Sequence, residues 1–140
     1  MRFGSFILEI RQQGKALQIA PLSFWDADAE TIEEHTGGCG PGKFGDWLVP
    51  DTIYLQSVFP ACQKHDWMYY RGEDEEDKVI ADVIFLLNMV FLVIAEDNFL
   101  DKVRLLRVMK YFIAVYYHGG GAFSKEEVAK LPIREELDNL

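Results

Sequence analysis

Residues 57–95 read SVFPACQKHDWMYYRGEDEEDKVIADVIFLLNMVFLVIA, two helices written around Gly72. Ser57 can cap the first, Pro60 is tolerated in an opening turn, and the helix is predicted to run to Arg71 and stop at Gly72. The second opens on five acidic residues, 73–77, which suit the positive end of a helix dipole, and is predicted to run to about Ala95. Two polar residues fall on the apolar sides of these helices. His65 has Ala61, Cys62, Met68 and Tyr69 three or four positions away, so it sits in the inward stripe. Asp82 has Val79, Phe85 and Leu86 at the same offsets on a helix that is apolar almost all round past Lys78. A buried carboxylate without a partner is costly. A single glycine between the helices makes them antiparallel neighbours, so Asp82 and His65 are expected to meet. An imidazole held by a buried carboxylate is oriented and stabilised when it takes a proton. Against this stands the plainer reading, a core histidine satisfied by its neighbours.

Upstream lies a different kind of sequence. Residues 37–45 hold five glycines and a proline in nine positions, which excludes a helix or a central strand and leaves the backbone free to turn carbonyls or amides inward. Asp66 follows His65 and points about 100° further round the helix, away from the deepest stripe. A carboxylate beside such a loop suits a hard cation, because Ca²⁺ takes oxygen ligands and accepts backbone carbonyls. The loop lacks the Gly-Lys-Ser/Thr ending of a phosphate-binding P-loop. The chain has two cysteines, Cys39 in the loop and Cys62 on the helix. One bridge or two buried thiols both satisfy this count.

The flanks complete the architecture. Residues 3–19 alternate about Gln12-Gln13-Gly14-Lys15, with Phe6, Leu8 and Ile10 on one side, then Leu17 and Ile19, which predicts a β-hairpin. Residues 25–35 are acidic and predict a short helix capped by Asp26 or Asp28. Residues 46–56 continue irregularly. A third long helix fits Leu100 to Tyr117, where Lys102, Arg104, Arg107 and Lys110 interleave with Val103, Leu106, Met109, Ile113 and Tyr116. Glycines 119–121 end it, and a last short helix is predicted from Ser124 to before Pro132.

Composition bounds the function. At 140 residues the chain reads as one domain, with a hairpin over 1–24, a core over 37–95 and a helical region over 98–140. Hydrophobic residues make up 49% and charged residues 26%, which excludes wholesale disorder. Fourteen Lys and Arg against 23 Asp and Glu give a net charge of -9, so nucleic acid is not an expected partner, nor is docking on anionic lipid by charge alone. The start does not resemble a signal peptide. The longest apolar run, Val83 to Ala95, has 13 residues interrupted by Asn88, short of the roughly 20 that cross a bilayer, and reads as a buried helix.

Taken in order, these motifs resemble the phospholipase A2 superfamily. Cys39-Gly40-Pro41-Gly42 resembles its calcium loop, and Cys62-Gln63-Lys64-His65-Asp66 its Cys-x-x-His-Asp helix. Ala81-Asp82 followed by Phe85 is similar to the segment carrying its second aspartate. The match covers residues 37–90, a little over a third of the chain. It is closer to the compact viral and bacterial members than to the disulfide-rich secreted enzymes. Residues 44–51, FGDWLVPD, and the later Gly120 to Phe123 resemble a phage- and prophage-associated group. Gly38 stands where a tyrosine commonly precedes the loop cysteine, and Lys43 where a second glycine is usual. Only 16 residues separate His65 from Asp82, so the family's inter-helix β-wing is missing.

The resemblance implies a mainly α fold, a phospholipase A2-like core of two antiparallel helices with a glycine-rich calcium loop. The N-terminal β-hairpin and C-terminal helices would be additions. It implies that His65 is the general base for an attacking water and Asp82 its orienting partner, with Tyr69 bonded to Asp82. Asp66 and the carbonyls of Gly38, Gly40 and Gly42 would hold Ca²⁺, and the metal and the Gly40 amide would stabilise the oxyanion. The expected function is a Ca²⁺-dependent esterase acting on the sn-2 bond of phospholipids, with a lipid surface as partner. Trp47, Leu48, Val49, Ile53, Tyr54 and Leu55 offer an apolar rim beside the loop. The competing expectation is a non-catalytic structural or interaction domain, virion- or secretion-associated, that keeps the scaffold.

Overall fold

In the computed structural model, residues 1–36, 52–53 and 56–118 are described. Strand β1 (Arg2–Phe3) turns back into β2 (Phe6–Gln13), and β2 into β3 (Ala16–Pro21), forming an antiparallel sheet in the order β1-β2-β3. Helices α1 (Leu22–Asp26) and α2 (Ala29–His35) follow, then the short strands β4 (Thr52–Ile53) and β5 (Gln56–Ser57), which pair antiparallel. Three long helices complete the described chain: α3 (Phe59–Arg71), α4 (Glu75–Glu96) and α5 (Asp101–His118). The protein is mostly helical, with a small N-terminal sheet.

The hairpin forms where the alternation places it. Gln13 pairs with Ala16 across Gly14 and Lys15, and Gly14 has φ of +63°, as a two-residue loop with glycine first requires. The inward faces are only partly those read from the sequence. Phe6, Leu8 and Ile19 are buried, but Ile10 and Leu17 are exposed, while Ala16 and Gln18 on the alternate side of β3 are buried instead. β1 was not anticipated. Gly4 (φ +55°) makes its turn, and a Cβ there would collide with the Asp77 carboxylate. The hairpin region also ends sooner than predicted: Leu22 starts α1 instead of extending the ribbon to 24. Asp28 caps α2, accepting from the Thr31 N–H at 2.7 Å.

Helix α4 is the central element and packs on α3, α5 and β3. Asp74 caps it through the Asp77 N–H, with Glu75, Glu76 and Asp77 in its first turn. Asp77 in turn accepts from the backbone N–H groups of Ser5 and Glu73, so one carboxylate pins the β1–β2 turn to the start of α4. Burial pushes this carboxyl up, but those N–H bonds outweigh it and leave it below the usual carboxylate range. Counted over the whole helix, α4 is long and apolar enough to cross a membrane by length and composition, although its uninterrupted run is short. In the fold it is the helix around which the core assembles: Ala81, Phe85, Met89 and Val93 pack with Phe6, Leu8, Met68, Val108 and Val115.

Of the apolar stripe read from the sequence on α5, Tyr116 is buried, but the rest of the buried face is a different one. Arg104, Val108, Tyr111, Val115 and Tyr116 are buried, while Val103, Leu106, Met109 and Ile113 are exposed. The two stripes have the same helical period, and only packing against α4 selects between them. On another side of α3, Trp67 forms a satellite cluster with Ala20 and Phe24, flanked by Trp25, Ala27 and Ile32. Helix α3 is therefore covered on several sides, and Lys64 and Asp66 are buried along with Ala61, Cys62, Trp67 and Met68.

Two buried polar ties hold the sheet to the helices. Asn88 accepts from the Ile19 N–H at 2.7 Å and donates to the Ile19 carbonyl at 2.8 Å, mimicking a strand on the free edge of β3. Lys64, fully buried, donates to Gln13 Oε1 at 2.6 Å and lies over the rings of Phe24 and Trp25. Burial lowers its pKa to about 8.

Asn88→Leu removes both partners of a buried peptide unit, and stability measured by urea unfolding should fall by about 2–4 kcal/mol. Lys64 gives a second test. Between pH 8 and pH 10 the unfolded chain binds a proton that the folded chain has released, so stability should rise with pH across this window. Lys64→Met should lack that rise in pH-dependent denaturant titrations.

Candidate active site

Helices α3 and α4 are joined by three residues after Arg71 and run antiparallel, which brings His65 and Asp82 together in the core. His65 is 2% exposed and Asp82 is fully buried. His65 Nε2 lies 2.8 Å from Asp82 Oδ1. An ionised carboxylate only accepts, so Nε2 carries the proton in this bond and Nδ1 is the lone-pair nitrogen of the neutral ring. Tyr69, one turn beyond His65, donates its hydroxyl to the same Oδ1 at 2.6 Å. The His65 ring is held between Tyr69 and Phe85, with centroids at 4.2 and 4.5 Å.

A fourth member was not foreseen as part of the site. Lys78, one turn before Asp82 on α4, donates to Asp82 Oδ2 at 2.6 Å, and its side chain is almost fully buried. The available signal was a lysine four positions before the aspartate, a spacing that places both on one helix face. Burial alone would raise the Asp82 carboxyl. The hydrogen bond from His65, the charge that ring carries when protonated and the ammonium of Lys78 outweigh it and hold Asp82 below the usual carboxylate range. Tyr69 is pushed well above its ordinary value, first by burial, then by the negative charge of Asp82 and the bond to it, then by Asp66.

Asp66 is buried as deeply as His65, at 1% exposed. The sequence placed it off the deepest stripe, but α3 is covered on that side too. Cys62, one turn before Asp66, is buried and disulfide-bonded, which decides for a bridge over free thiols. The expected loop ligands Gly38, Gly40 and Gly42, together with Cys39, lie outside the described residues, as do the apolar rim residues Trp47 to Val49, Tyr54 and Leu55 and the expected last helix. Surface hollows among the described residues include two of about 290 and 190 Å³. The larger lies between the hairpin end and the C-terminus of α4, lined by Gln13, Lys15, Ser57 and Glu96 among others. Neither hollow is lined by His65 or Asp82.

Chemically, this is an imidazole fixed by an anchored carboxylate, with a second buried carboxylate beside it in the chain. Such a pair can hold and return a proton at Nδ1. No family model matches the chain, and neither the characterised proteins nor the solved structures give a match.

Asp82→Asn tests how this cluster is held. Removing one partner of a buried ionic cluster should cost about 3–5 kcal/mol at neutral pH. Asp82 has a lowered folded-state value, so its contribution is complete above the unfolded pKa of about 3.9 and is lost as pH falls through the lower folded value. The stability gap between parent and Asp82→Asn should therefore narrow in acid unfolding below about pH 4.

Proposed function

We propose that the chain is a Ca²⁺-dependent esterase of the phospholipase A2 type, hydrolysing the sn-2 ester of phospholipids. The observation that carries this reading is the buried His65–Asp82–Tyr69 arrangement on two antiparallel helices, with Asp66 adjacent to His65. In this reading Nδ1 of His65 takes a proton from water as it attacks the ester carbonyl, and returns it to the leaving alcohol. Asp82 keeps the ring in the tautomer that leaves Nδ1 unprotonated, and Tyr69 and Phe85 limit ring rotation.

The donor types suit a hard cation: Asp66 is a buried carboxylate that would supply charge, and glycine-rich sequence such as residues 37–45 would offer backbone carbonyls. Asp66 with the carbonyls of Gly38, Gly40 and Gly42 would hold Ca²⁺. The bound ion would lend positive charge to the developing oxyanion, alongside the Gly40 amide. The depth of the His65–Asp82 pair favours a second reading, a non-catalytic structural or interaction domain that keeps the cluster as a core polar network.

Hydrolysis of zwitterionic and anionic phospholipid vesicles, and of a short-chain ester, with and without Ca²⁺, separates the two. The esterase reading expects calcium-dependent release of fatty acid, lowered about 10²–10⁴-fold in His65→Ala with calcium affinity unchanged. Asp66→Asn should weaken calcium binding in a calorimetric titration. A folded parent protein that releases no product above the His65→Ala background sinks the esterase and leaves the structural domain.

A further inference from the structure

Lys78 is badly placed for a residue that merely stabilises its own helix. It sits in the first turn of α4, at the positive end of the dipole, and precedes its carboxylate partner, the weaker order for an i,i+4 pair. It is also buried, where an ammonium is costly to desolvate. Its surroundings answer these costs from other parts of the fold. Nζ donates to Asp82 Oδ2 at 2.6 Å and to the Tyr116 carbonyl at 3.0 Å, and lies 5.0 Å from the centre of the Tyr116 ring. Tyr116 lies in the last described turn of α5.

We propose that Lys78 is a positioning residue for His65, acting through Asp82. The two oxygens of Asp82 have separate duties: Oδ1 receives His65 and Tyr69, and Oδ2 receives Lys78. With Oδ2 anchored, the carboxylate cannot rotate about its Cβ–Cγ bond without breaking a charge-assisted bond, so Oδ1 stays aimed at Nε2. The anchor is itself fixed to α5 through Tyr116. The orientation of the imidazole is thereby tied to α5 as well as to α3 and α4. This role rests on the proposal that His65 is the general base.

The test compares the parent, Lys78→Met, Asp82→Asn and the double variant on a dispersed short-chain phospholipid with Ca²⁺. Lys78 touches no substrate in this reading, so Lys78→Met should lower kcat by about tenfold or more and leave KM within about twofold. In the Asp82→Asn background the same substitution should cost nothing further, since its target is gone. An equal loss in both backgrounds, or a rise in KM alone, overturns the proposal. An activity-independent measurement separates its failure from that of the esterase reading: solvent exchange of the His65 Nε2–H proton followed by NMR. Exchange should quicken, or the signal broaden away, in folded Lys78→Met, and an unchanged signal overturns the positioning role even if the protein hydrolyses no lipid. If Lys78→Met does not fold, Lys78→Gln, which keeps a neutral N–H donor, is read by the same two measurements.

Discussion

A carboxylate with no exposed surface needs its charge answered, and Asp82 gathers donors from two helices, one of them tied to a third. His65 and Tyr69 come from α3, Lys78 from α4 itself, and Tyr116 of α5 holds Lys78 in place. An apolar core is non-directional and would tolerate α3 and α5 rotating slightly on α4. Bonds of 2.6–2.8 Å to one buried anion do not, because a rotation that breaks one leaves an unpaired charge in the core. The same constraint that fixes the register of three helices also fixes the imidazole.

The rest of the structure repeats this device with weaker groups. Asn88 reaches from α4 to the edge of β3 and satisfies both backbone groups of Ile19. Asp77, at the start of α4, receives N–H groups from Ser5 and Glu73. Lys64 reaches from α3 to Gln13 at the end of β2. Each polar residue lies on an element whose apolar face is already buried, and each meets a backbone or side chain far away in sequence. Apolar burial brings the layers together, and the polar ties select one arrangement among the packings that burial alone permits.

These ties bear on chemistry. In the proposed reading a base that acts on water needs its other nitrogen held still, and Asp82, itself held by Tyr69 and Lys78, holds Nε2. Tyr69 and Lys78 occupy lone pairs of Asp82 that would otherwise compete for water or for a rotated ring. The depth of the cluster excludes water from the Asp82 side, where the carboxylate acts with the strength of a low-dielectric setting.

Much of this was legible in residue order. The three long helices end within one or two residues of their predicted limits, because glycine, proline and acidic first turns act locally on the backbone. The hairpin was legible because alternation and a glycine turn are local as well. The meeting of His65 with Asp82 could be anticipated because each stood on an apolar face and a short connection made the helices neighbours. What residue order left open was the choice between equivalent faces on α5 and the polar partners more distant than the α3–α4 pair. The sequence offers α5 two stripes of the same period, and packing buried Arg104, Val108, Tyr111 and Val115 while leaving Leu106 and Ile113 outside. Lys78, Asn88 and Lys64 read as ordinary helix residues until α5, β3 and β2 arrive beside them. Local rules decide where a helix starts and stops, since they act over one or two turns. Which way it faces is decided by partners 38 to 72 positions distant, such as Tyr116 for Lys78 and Ser5 for Asp77, and those exist only once the chain has folded.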